Sequence, residues 1–293
     1  MPKKKKREIK LQASPYAIAA VIVGIFFLGA AAFFLVDRLL DRGDGPDKVA
    51  IIKDIPKPPP AIEFPPPTTL PDYKYKVAIV IDDMGRDISK LTELSELDSA
   101  INIAILPHLK DSKAIADETH ERGWNVILHL PMEPQNIEKH NPGEGALLVS
   151  MTGEELRNTI RSDLESVPHA IGINNHMGSR FTEDEALMKV VMSAAKEEGV
   201  FFLDSKTTAK SVGEKLAQKM GVKTASRSIF LDNSQDKEYI RGQIEELISV
   251  AKKNGTAIGI GHPHPETISV LIEKEADFER EGIGLVRLDE LVR

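Results

Sequence analysis

Short apolar runs alternate with polar, helix-like segments from about residue 75 to the end of the chain. Runs such as residues 77–81 show no alternation of apolar and polar side chains, as expected for strands buried on both faces. Regular alternation of strand and helix predicts an α/β fold with a parallel sheet, and seven or eight units favour a barrel over an open sheet. The predicted strands lie near residues 76–82, 101–106, 124–130, 170–174, 200–204, 224–230, 256–260 and 283–287.

Glycine and capping residues mark the predicted ends of the helices. Thr152 and Thr182 are each followed three residues later by glutamate, which is the spacing of a capping box, so helices are expected to begin there. Asp111 is expected to cap the helix that precedes residue 123. Glycine allows the left-handed conformation that ends a helix before the next strand. Five polar segments end in this way, at Gly123, Gly199, Gly221, Gly255 and Gly282.

The longest apolar run, residues 17–36, has about the twenty residues needed to cross a hydrocarbon core of roughly 30 Å. We predict one uncleaved transmembrane helix there. The alternative is a cleaved signal peptide, but its apolar core is normally shorter and no small-x-small site follows this run. Residues 1–16 carry a basic cluster, so they are predicted to be a cytoplasmic tail. The chain is then predicted to span a membrane once, with its C-terminal domain on the side away from the cytoplasm.

A proline-rich linker is predicted between the membrane helix and the folded domain, over residues 37–74. It contains two runs of three prolines, at 58–60 and 65–67, and shows no helical or strand period. Such a segment is a stiff tether, which as an extended polyproline helix could reach roughly 100 Å. A proline-rich ligand for a partner domain is the alternative interpretation. Residues 75–293 form the predicted globular domain.

Composition and charge exclude several classes of function. The chain has no cysteine, so neither disulfides nor thiolate chemistry are available. Its net charge is −7, and the first ten residues alone carry +5, so the remaining chain carries −12. Because nucleic-acid-binding domains need a basic surface, this acidic body argues against a nucleic-acid partner. No feature of the sequence identifies a protein partner.

Acidic and imidazole side chains follow nearly every predicted strand. In a (β/α) barrel the carboxyl ends of the strands share one rim, where catalytic groups sit. One strand-end aspartate is more often a helix cap, and the densest stretch, residues 172–180, is rich in turn formers. The set as a whole predicts a metal or acid–base site. Its members are Asp82, Asp83, His108, His129, Glu133, residues 174–180, Asp204, Asp232, His262 and His264.

Five of these segments resemble motifs of the divergent polysaccharide deacetylase family, a branch of the NodB-homology carbohydrate esterases. They are Ile81-Asp82-Asp83-Met84-Gly85, His129-Leu130-Pro131-Met132-Glu133, Asn174-Asn175-His176-Met177-Gly178-Ser179, Leu203-Asp204-Ser205 and Gly259-Ile260-Gly261-His262. The resemblance extends over residues 75–293, and the segment from 174 to 179 is its most specific part. It implies a distorted (β/α) barrel of about seven strands, and a hydrolase that removes N-acetyl groups from peptidoglycan or another N-acetylated glycan. An anchor and linker ahead of the domain suit bacterial envelope members, so the chain is expected to be a single-pass protein of the bacterial inner membrane, with its C-terminal domain periplasmic or extracellular.

The resemblance also implies roles for single residues. Asp82 corresponds to the general base, Asp83 to a metal ligand and His262 to the general acid. The third strand of the family presents two metal-binding histidines four residues apart, whereas this chain has His129 and Glu133. The predicted ligands of a divalent metal are therefore Asp83, His129 and His176, with Glu133 as the alternative third ligand. Zinc is the favoured metal, since it accepts mixed nitrogen and oxygen ligands.

The remaining candidates are predicted to contact substrate or to support the ligands. This chain lacks the arginine-proline-proline-tyrosine segment that family members carry on strand four, and residues 174–180 occupy that place. Asp204 is expected to orient an imidazole, as carboxylates beside metal sites commonly do. His264 follows Pro263, and the sequence leaves its direction open. The supporting group comprises Asn174, Asn175, Ser179, Arg180, Asp204 and His264.

Two hypotheses of different class follow from these residues. The first is a membrane-anchored hydrolase, because cleaving an acetamide needs an activated water, a Lewis acid and an acid for the departing amine, and a metal with Asp82 and His262 would supply them. The second is a catalytically weak or inactive barrel that binds glycan or an envelope partner. Glu133 in place of histidine favours the second hypothesis, whereas the paired aspartates and convergent histidines favour the first.

Overall fold

A computed structural model describes residues 73–293 of the chain. The predicted cytoplasmic tail, the transmembrane helix and nearly all of the linker lie outside the described residues. Between residues 73 and 293, no helix combines the length and the apolar character that crossing a membrane requires. The membrane anchor and the domain boundaries therefore stay predictions.

Strands and α-helices alternate along the described residues, as the apolar pattern predicts. Seven α-helices are α1 (Ser89–Leu94), α2 (Ser112–Glu121), α3 (Gly153–Ser166), α4 (Glu185–Glu197), α5 (Gly213–Met220), α6 (Lys237–Asn254) and α7 (Pro265–Arg280). Nine strands are β1 (Tyr75–Met84), β2 (Asn102–Ile105), β3 (Asn125–Met132), β4 (Ala170–Met177), β5 (Phe201–Asp204), β6 (Thr224–Ser226), β7 (Ile229–Phe230), β8 (Thr256–Gly261) and β9 (Ile283–Leu285).

All strand pairings in the described domain are parallel. Eight strands follow one another in the order β6-β5-β4-β3-β2-β1-β8-β7, and β9 pairs with the start of β1. Because β8 occupies one edge of β1, β2 and β9 must share the other edge, β9 beside residues 75–77 and β2 beside residues 80–84. The predicted parallel α/β architecture is confirmed, but the strands number nine rather than about seven.

The sheet curls into a half-barrel with one open seam. β6 and β7 form its two edges, yet only Arg227 and Ser228 separate them in the chain. Three peptide units span at most about 11 Å, so the two edges must lie close together. The run 224–230, predicted as one strand, divides here because Arg227 N still bonds to Asp204 O of β5, whereas Ser228 N bonds to Ile258 O of β8. The seam therefore has no ladder of its own.

Both faces of the strands are buried, which explains why their sequences do not alternate in polarity. In β1, Val77, Ile79 and Ile81 belong to the large core shared with the helices. Ala78 and Val80 point the other way, since successive side chains of a strand alternate between faces. They belong to a smaller cluster inside the barrel, made of Ala78, Val80, Ala104, Ile127, Phe201, Leu203, Ile258, Ile260 and Leu288.

One of the three predicted side-chain caps forms in the structure. Thr152 and Glu155 form the predicted capping box at α3. The box predicted at Thr182 is wrong, because Asp184 caps α4 while the Thr182 hydroxyl donates to Gly178 O. Asp111 lies at the start of α2, but its side chain makes no capping hydrogen bond. Gly221 ends α5 in the left-handed conformation, with φ of 69°.

The C-terminal segment closes the end of the barrel opposite to the rim. Leu288 fills the interior, and its backbone N–H donates to Asn102 Oδ1 at 2.7 Å. The Asn102 amide group also donates to Ile79 O at 2.7 Å, so one buried side chain joins the C-terminal segment to β1. Asn125 Oδ1 accepts in the same way from Asp289 N at 3.1 Å.

Replacing Asn102 with alanine should lower the free energy of unfolding by about 2–4 kcal/mol, because it leaves Ile79 O and Leu288 N buried without partners. Urea unfolding of the full-length protein measures this change. Asn158→Ala, on the exposed face of α3, is the matched control and should change stability little. Equal effects of the two substitutions would show that the Asn102 bridge does not hold the C-terminal segment.

Candidate metal centre

The two aspartates at the end of β1 face the same site although they are neighbours in the chain. Neighbouring side chains of a regular strand point to opposite faces. Between Ile81 and Met84, β1 has one residue more than the stretch of β2 that it pairs with, which is a β-bulge. Asp83, within this bulge, takes a left-handed backbone conformation with φ of 59°. Aspartate is one of the few residues that tolerate this conformation. Asp82 Oδ2 and Asp83 Oδ1 thereby lie 3.6 and 3.1 Å from Nε2 of His129.

The pairing of β3 with β4 brings the histidines together. His129 lies directly across from Asn174, and Pro131 lies across from His176. Since residues two apart in a strand point to the same face, the side chains of Asn174 and His176 both flank His129. The two imidazole rings meet edge to face with their centres 4.8 Å apart.

Asp83, His129 and His176 present three ligand atoms to one point. Asp83 Oδ1 lies 3.1 Å from His129 Nε2 and 2.9 Å from His176 Nδ1, and the two nitrogens are 3.0 Å apart. Atoms at this spacing can all lie about 2.1 Å from a single zinc ion. Asp83 Oδ1 is buried and accepts no well-directed hydrogen bond from the described residues. The predicted ligands are thus brought together in an arrangement that fits a divalent metal.

Charge at this point also suits a cation. Burial by itself raises the pKa of Asp83, but the two imidazoles at close range outweigh burial and lower it well below its usual value. Asp83 is therefore ionised at any physiological pH. A carboxylate with two imidazoles is a common ligand set for zinc in hydrolases, which leave a further position for water.

Asn174 determines which nitrogen of His129 is free. Its amide nitrogen donates to Asp82 Oδ1 at 2.9 Å and lies 3.2 Å from Ser205 Oγ. When Asp82 is ionised it can only accept, so the amide oxygen faces the other way, where it lies 2.8 Å from His129 Nδ1. The proton of a neutral His129 therefore resides on Nδ1, and Nε2 keeps its lone pair toward Asp83 and His176.

Asp82 is a buried carboxylate beside the three ligands. Burial raises its pKa, and the nearby imidazoles of His129 and His262 oppose this rise without cancelling it. A raised pKa makes a carboxylate a stronger proton acceptor, which suits a general base. Its Oδ1 is bound to Asn174, so Oδ2 is the atom available for a reacting proton.

His262 stands on the opposite side of Asp83 and is oriented by Asp232. Asp232 Oδ1 lies 2.9 Å from His262 Nδ1, and Asp232 Oδ2 accepts from His262 N at 2.6 Å and from the Thr267 hydroxyl at 2.8 Å. His262 Nε2 then faces Asp83 Oδ2 at 3.9 Å. Burial lowers the pKa of His262, but the hydrogen bond and charge of Asp232 outweigh it and raise the pKa to about 9.

The imidazole-orienting carboxylate is Asp232, not Asp204 as the sequence suggested. Asp204 accepts from Ser211 Oγ at 2.7 Å, from Lys206 N at 2.9 Å and from Glu214 N at 3.2 Å. These contacts tie the loop after β5 to the start of α5 and reach no imidazole among the described residues. Asp232 had the same strand-end signal in the sequence, and nothing local distinguished the two.

Glu133 does not complete the metal site. Its Oε1 pairs with Arg180 Nη1 at 2.6 Å, and its Oε2 accepts from Val149 N at 2.8 Å. Both carboxylate oxygens of this buried side chain are thus occupied, and Glu133 is absent from the group of converging ligand atoms. Glu133 and Arg180 instead clamp the base of the loop that leads from β3 to α3. These contacts do not support Glu133 as the third ligand, and Asp83, His129 and His176 remain the candidate set.

The other supporting candidates also hold loops. Asn175 Oδ1 accepts from Ser205 N at 2.9 Å, and Ser179 Oγ accepts from Gln135 N at 3.1 Å. His264 lies at the start of α7, with Gln235 Nε2 at 3.2 Å. His264, His262 and Asp232 also cluster, but Asp232 already accepts three hydrogen bonds, so this group is a hydrogen-bonded pair with a neighbour rather than a second metal site.

An open cleft of about 370 Å³ leads to the ligands. Asp83, His176 and His262 lie on its wall. Apolar and proline side chains line much of the rest, and the loop of residues 141–144 forms one side. Further lining residues are Arg86, Leu106, Pro107, Leu109, Pro131, Met177, Pro263 and His264.

Replacing Asp232 with asparagine should bring the pKa of His262 down from about 9 toward 6.5, because the substitution removes the negative charge that stabilises the imidazolium. NMR titration of His262 in full-length protein kept metal-free with a chelator measures both values. Asp204→Asn is the matched control and should leave the titration in place. A midpoint that does not move in Asp232→Asn would contradict this assignment of the pair.

Most of the described domain matches a known family and two relatives. The family model for divergent polysaccharide deacetylases matches residues 79–292. The chain is 40% identical over 196 residues to the uncharacterized protein YibQ of Escherichia coli K12, covering 67% of this chain and 61% of YibQ. The chain thus spans about three fifths of that relative's length. An uncharacterized protein of Haemophilus influenzae Rd is 38% identical over 196 residues, covering 67% of this chain and 69% of the relative.

A solved structure shares the fold. The crystal structure of the uncharacterized protein ATU2773 from Agrobacterium tumefaciens C58 superposes with a TM-score of 0.71, at 21% identity, over 74% of this chain and 89% of that one. This likeness concerns architecture alone. The family model, in contrast, covers most of the chain and includes every motif that carried the resemblance. The chain belongs to the divergent polysaccharide deacetylase family.

Proposed function

We propose that this protein is a metal-dependent amide hydrolase that removes N-acetyl groups from an envelope or extracellular polysaccharide, either peptidoglycan or another N-acetylated glycan. The observation that carries the proposal is the convergence of Asp83, His129 and His176 on one point at the wall of an open cleft. Asp82 and His262 flank this point with the properties of a base and an acid. Membership of the deacetylase family supports the same substrate class.

The residues present would hold a divalent ion, and zinc is the metal we propose. When bound, it would polarise the acetamide carbonyl and lower the pKa of a coordinated water. Asp82 Oδ2 would take a proton from the attacking water, whose hydroxyl becomes bonded to the acyl carbon. His262 would give its Nε2 proton to the departing nitrogen as the carbon–nitrogen bond breaks. The products are acetate and a free amine.

The environments of Asp82 and His262 divide these roles. Attraction from Asp232 keeps His262 protonated up to a pH of about 9, so it can act as an acid at neutral pH. The hydrogen bond from Asn174 holds Oδ1 of Asp82 and leaves Oδ2 as the atom that can take a proton. Asn174 holds Asp82 Oδ1 and Asp232 holds His262 Nδ1, which leaves Asp82 Oδ2 and His262 Nε2 as the atoms that would exchange protons with water and substrate. This arrangement needs no movement of either side chain before a proton is transferred.

We propose further that residues 17–36 anchor the enzyme in the bacterial inner membrane and that the proline-rich linker extends it into the periplasm or beyond. The apolar run and the basic residues before it support this topology. A stiff tether would let the cleft reach glycan strands away from the bilayer.

A glycan-binding barrel without catalysis is the second candidate. The residues that replace the family's arginine-proline-proline-tyrosine segment are engaged within the protein: Asn174 with His129, Asn175 with Ser205 and Arg180 with Glu133. Because these side chains are held within the protein, the described domain offers no replacement for the missing segment. This absence favours a barrel without catalysis, and the two experiments that follow separate it from the hydrolase.

Alanine at Asp83, His129 or His176 should remove most of the bound metal, because each substitution deletes one of three ligands. Glu133→Gln should keep the metal, since its carboxylate binds Arg180 and Val149 instead. Elemental analysis of full-length protein after dialysis against zinc-containing and then metal-free buffer measures the content. Wild-type protein that retains no stoichiometric metal would contradict the hydrolase.

Asp82→Asn should retain the metal but lower turnover by about 10²–10⁴-fold, because it removes the proton acceptor and no ligand. Acetate released from N-acetylglucosamine oligomers and from peptidoglycan measures turnover. Asp98→Asn, an exposed position remote from the cleft, is the control. Metal-loaded wild-type protein that binds these glycans without releasing acetate would favour the binding barrel.

A further inference from the structure

We propose that Arg227, at the open seam of the barrel, is a positioning residue for the metal centre and acts through Ser205 and Asn174 to keep Nε2 of His129 available as a ligand. The inference deepens the proposed metal-dependent function and rests on it. Arg227 itself touches none of the three ligands, so its effect would be transmitted through hydrogen bonds. Each step of that transmission is a contact in the structure.

The Arg227 side chain reaches back from the seam to the loop after β5. Its Nε donates to Ser205 O at 2.8 Å and its Nη2 donates to Lys206 O at 3.1 Å. The guanidinium also stacks over the ring of Phe230 on β7, 3.8 Å from the ring centre. The side chain therefore joins the end of β5, which neighbours β6 on one side of the seam, to β7 on the other side.

Arg227 is half-buried without an ion pair. Burial lowers its pKa, and the carboxylates of Asp204 and Asp82 only partly oppose this. No carboxylate of the described residues lies within salt-bridge distance of it. Desolvating a charge costs free energy unless hydrogen bonds compensate it. The two carbonyl groups that Arg227 binds are thus the partners that account for its position, and Lys206 holds a left-handed conformation with φ of 48° in that turn.

Ser205 is held from three directions. Its carbonyl accepts from Arg227, its backbone N–H donates to Asn175 Oδ1 at 2.9 Å, and its hydroxyl oxygen lies 3.2 Å from the amide nitrogen of Asn174. The residue is only 1% exposed, so in the folded protein these partners, rather than bulk water, satisfy it. Removing the Arg227 contact would free the carbonyl and let the whole turn shift away from Asn174.

The orientation of the Asn174 amide group determines which ring nitrogen of a neutral His129 carries the proton. In the observed orientation its amide nitrogen faces two acceptors, Asp82 and Ser205, and its oxygen faces His129 Nδ1. In the flipped orientation the amide nitrogen would face Nδ1, and the proton of a neutral imidazole would have to move to Nε2. A protonated Nε2 cannot bind a metal. An ionised Asp82 opposes the flip because a carboxylate can only accept, and Ser205, whose hydroxyl can accept or donate, holds the amide group in place beside Asp82.

The experiment compares Arg227→Gln and Ser205→Ala with two controls in the full-length protein. Arg227→Lys keeps the charge and can still donate to one of the two carbonyl groups, so its zinc affinity should lie between those of Arg227→Gln and the wild type. Arg241→Gln removes an arginine of α6 that pairs with Glu238 and Glu273 on the surface. The readouts are zinc affinity from chelator competition and ring-nitrogen chemical shifts of His129 in metal-free protein, at a pH where the ring is neutral.

Arg227→Gln and Ser205→Ala should each weaken zinc binding about tenfold, the lower end of the range for groups that orient metal ligands. The same variants should show an increased fraction of His129 protonated on Nε2, whereas Arg241→Gln should match the wild type. The inference is overturned if Arg227→Gln lowers the unfolding midpoint while zinc affinity and the tautomer stay unchanged, since Arg227 would then only clip the seam. Wild-type protein that fails to bind zinc would contradict the proposed function, and the tautomer would still decide this inference.

Discussion

The parallel pairing of β3 with β4 is the interaction on which the site depends. Its register sets His129 across from Asn174 and places His176 two residues further along the same face. A slip of one residue would turn these side chains to the opposite face and into the helix-packed core. The pairing is secured at its far end by Glu133, whose carbonyl accepts from Arg180 and Phe181 in the turn after β4. The geometry of the ligands is therefore a property of the sheet.

Around this pairing, a hydrogen bond holds one polar atom of each of three side chains and so fixes the direction of the other polar atom. Asp82 is bound to Asn174 on one oxygen, His129 to Asn174 on one nitrogen, and His262 to Asp232 on one nitrogen. The other atom faces the site: His129 Nε2 lies 3.1 Å from Asp83 Oδ1, His262 Nε2 lies 3.9 Å from Asp83 Oδ2, and Asp82 Oδ2 lies 3.6 Å from His129 Nε2. Such preorganisation reduces the reorganisation that a reaction would require. It also makes the site sensitive to buried residues that never touch the substrate.

The half-barrel has a cost that its side chains offset. An open seam leaves β6 and β7 without a common ladder, and unpaired strand edges are a liability in any sheet. Arg227 and Phe230 bridge this gap by side-chain contacts, and the C-terminal segment closes the opposite end through Asn102 and Leu288. The site lies at the rim of the same half-barrel. How firmly its loops are held therefore depends in part on these contacts at the seam and at the opposite end.

The sequence by itself determined the order of strands and helices, the parallel α/β class and the rim on which the polar residues meet, because periodicity and strand-end position are local properties. With the help of family motifs it also indicated Asp83, His129 and His176 as candidate ligands, which the structure brings together. Only the tertiary structure decided which strand-end carboxylate orients an imidazole of the site. Asp204, Asp232 and Glu133 carry the same local signal, but Ser211 and backbone groups bind Asp204, Arg180 captures Glu133, and His262, 30 residues further along the chain, binds Asp232. Contacts between residues so distant in sequence depend on the packing of whole elements, which no local pattern encodes.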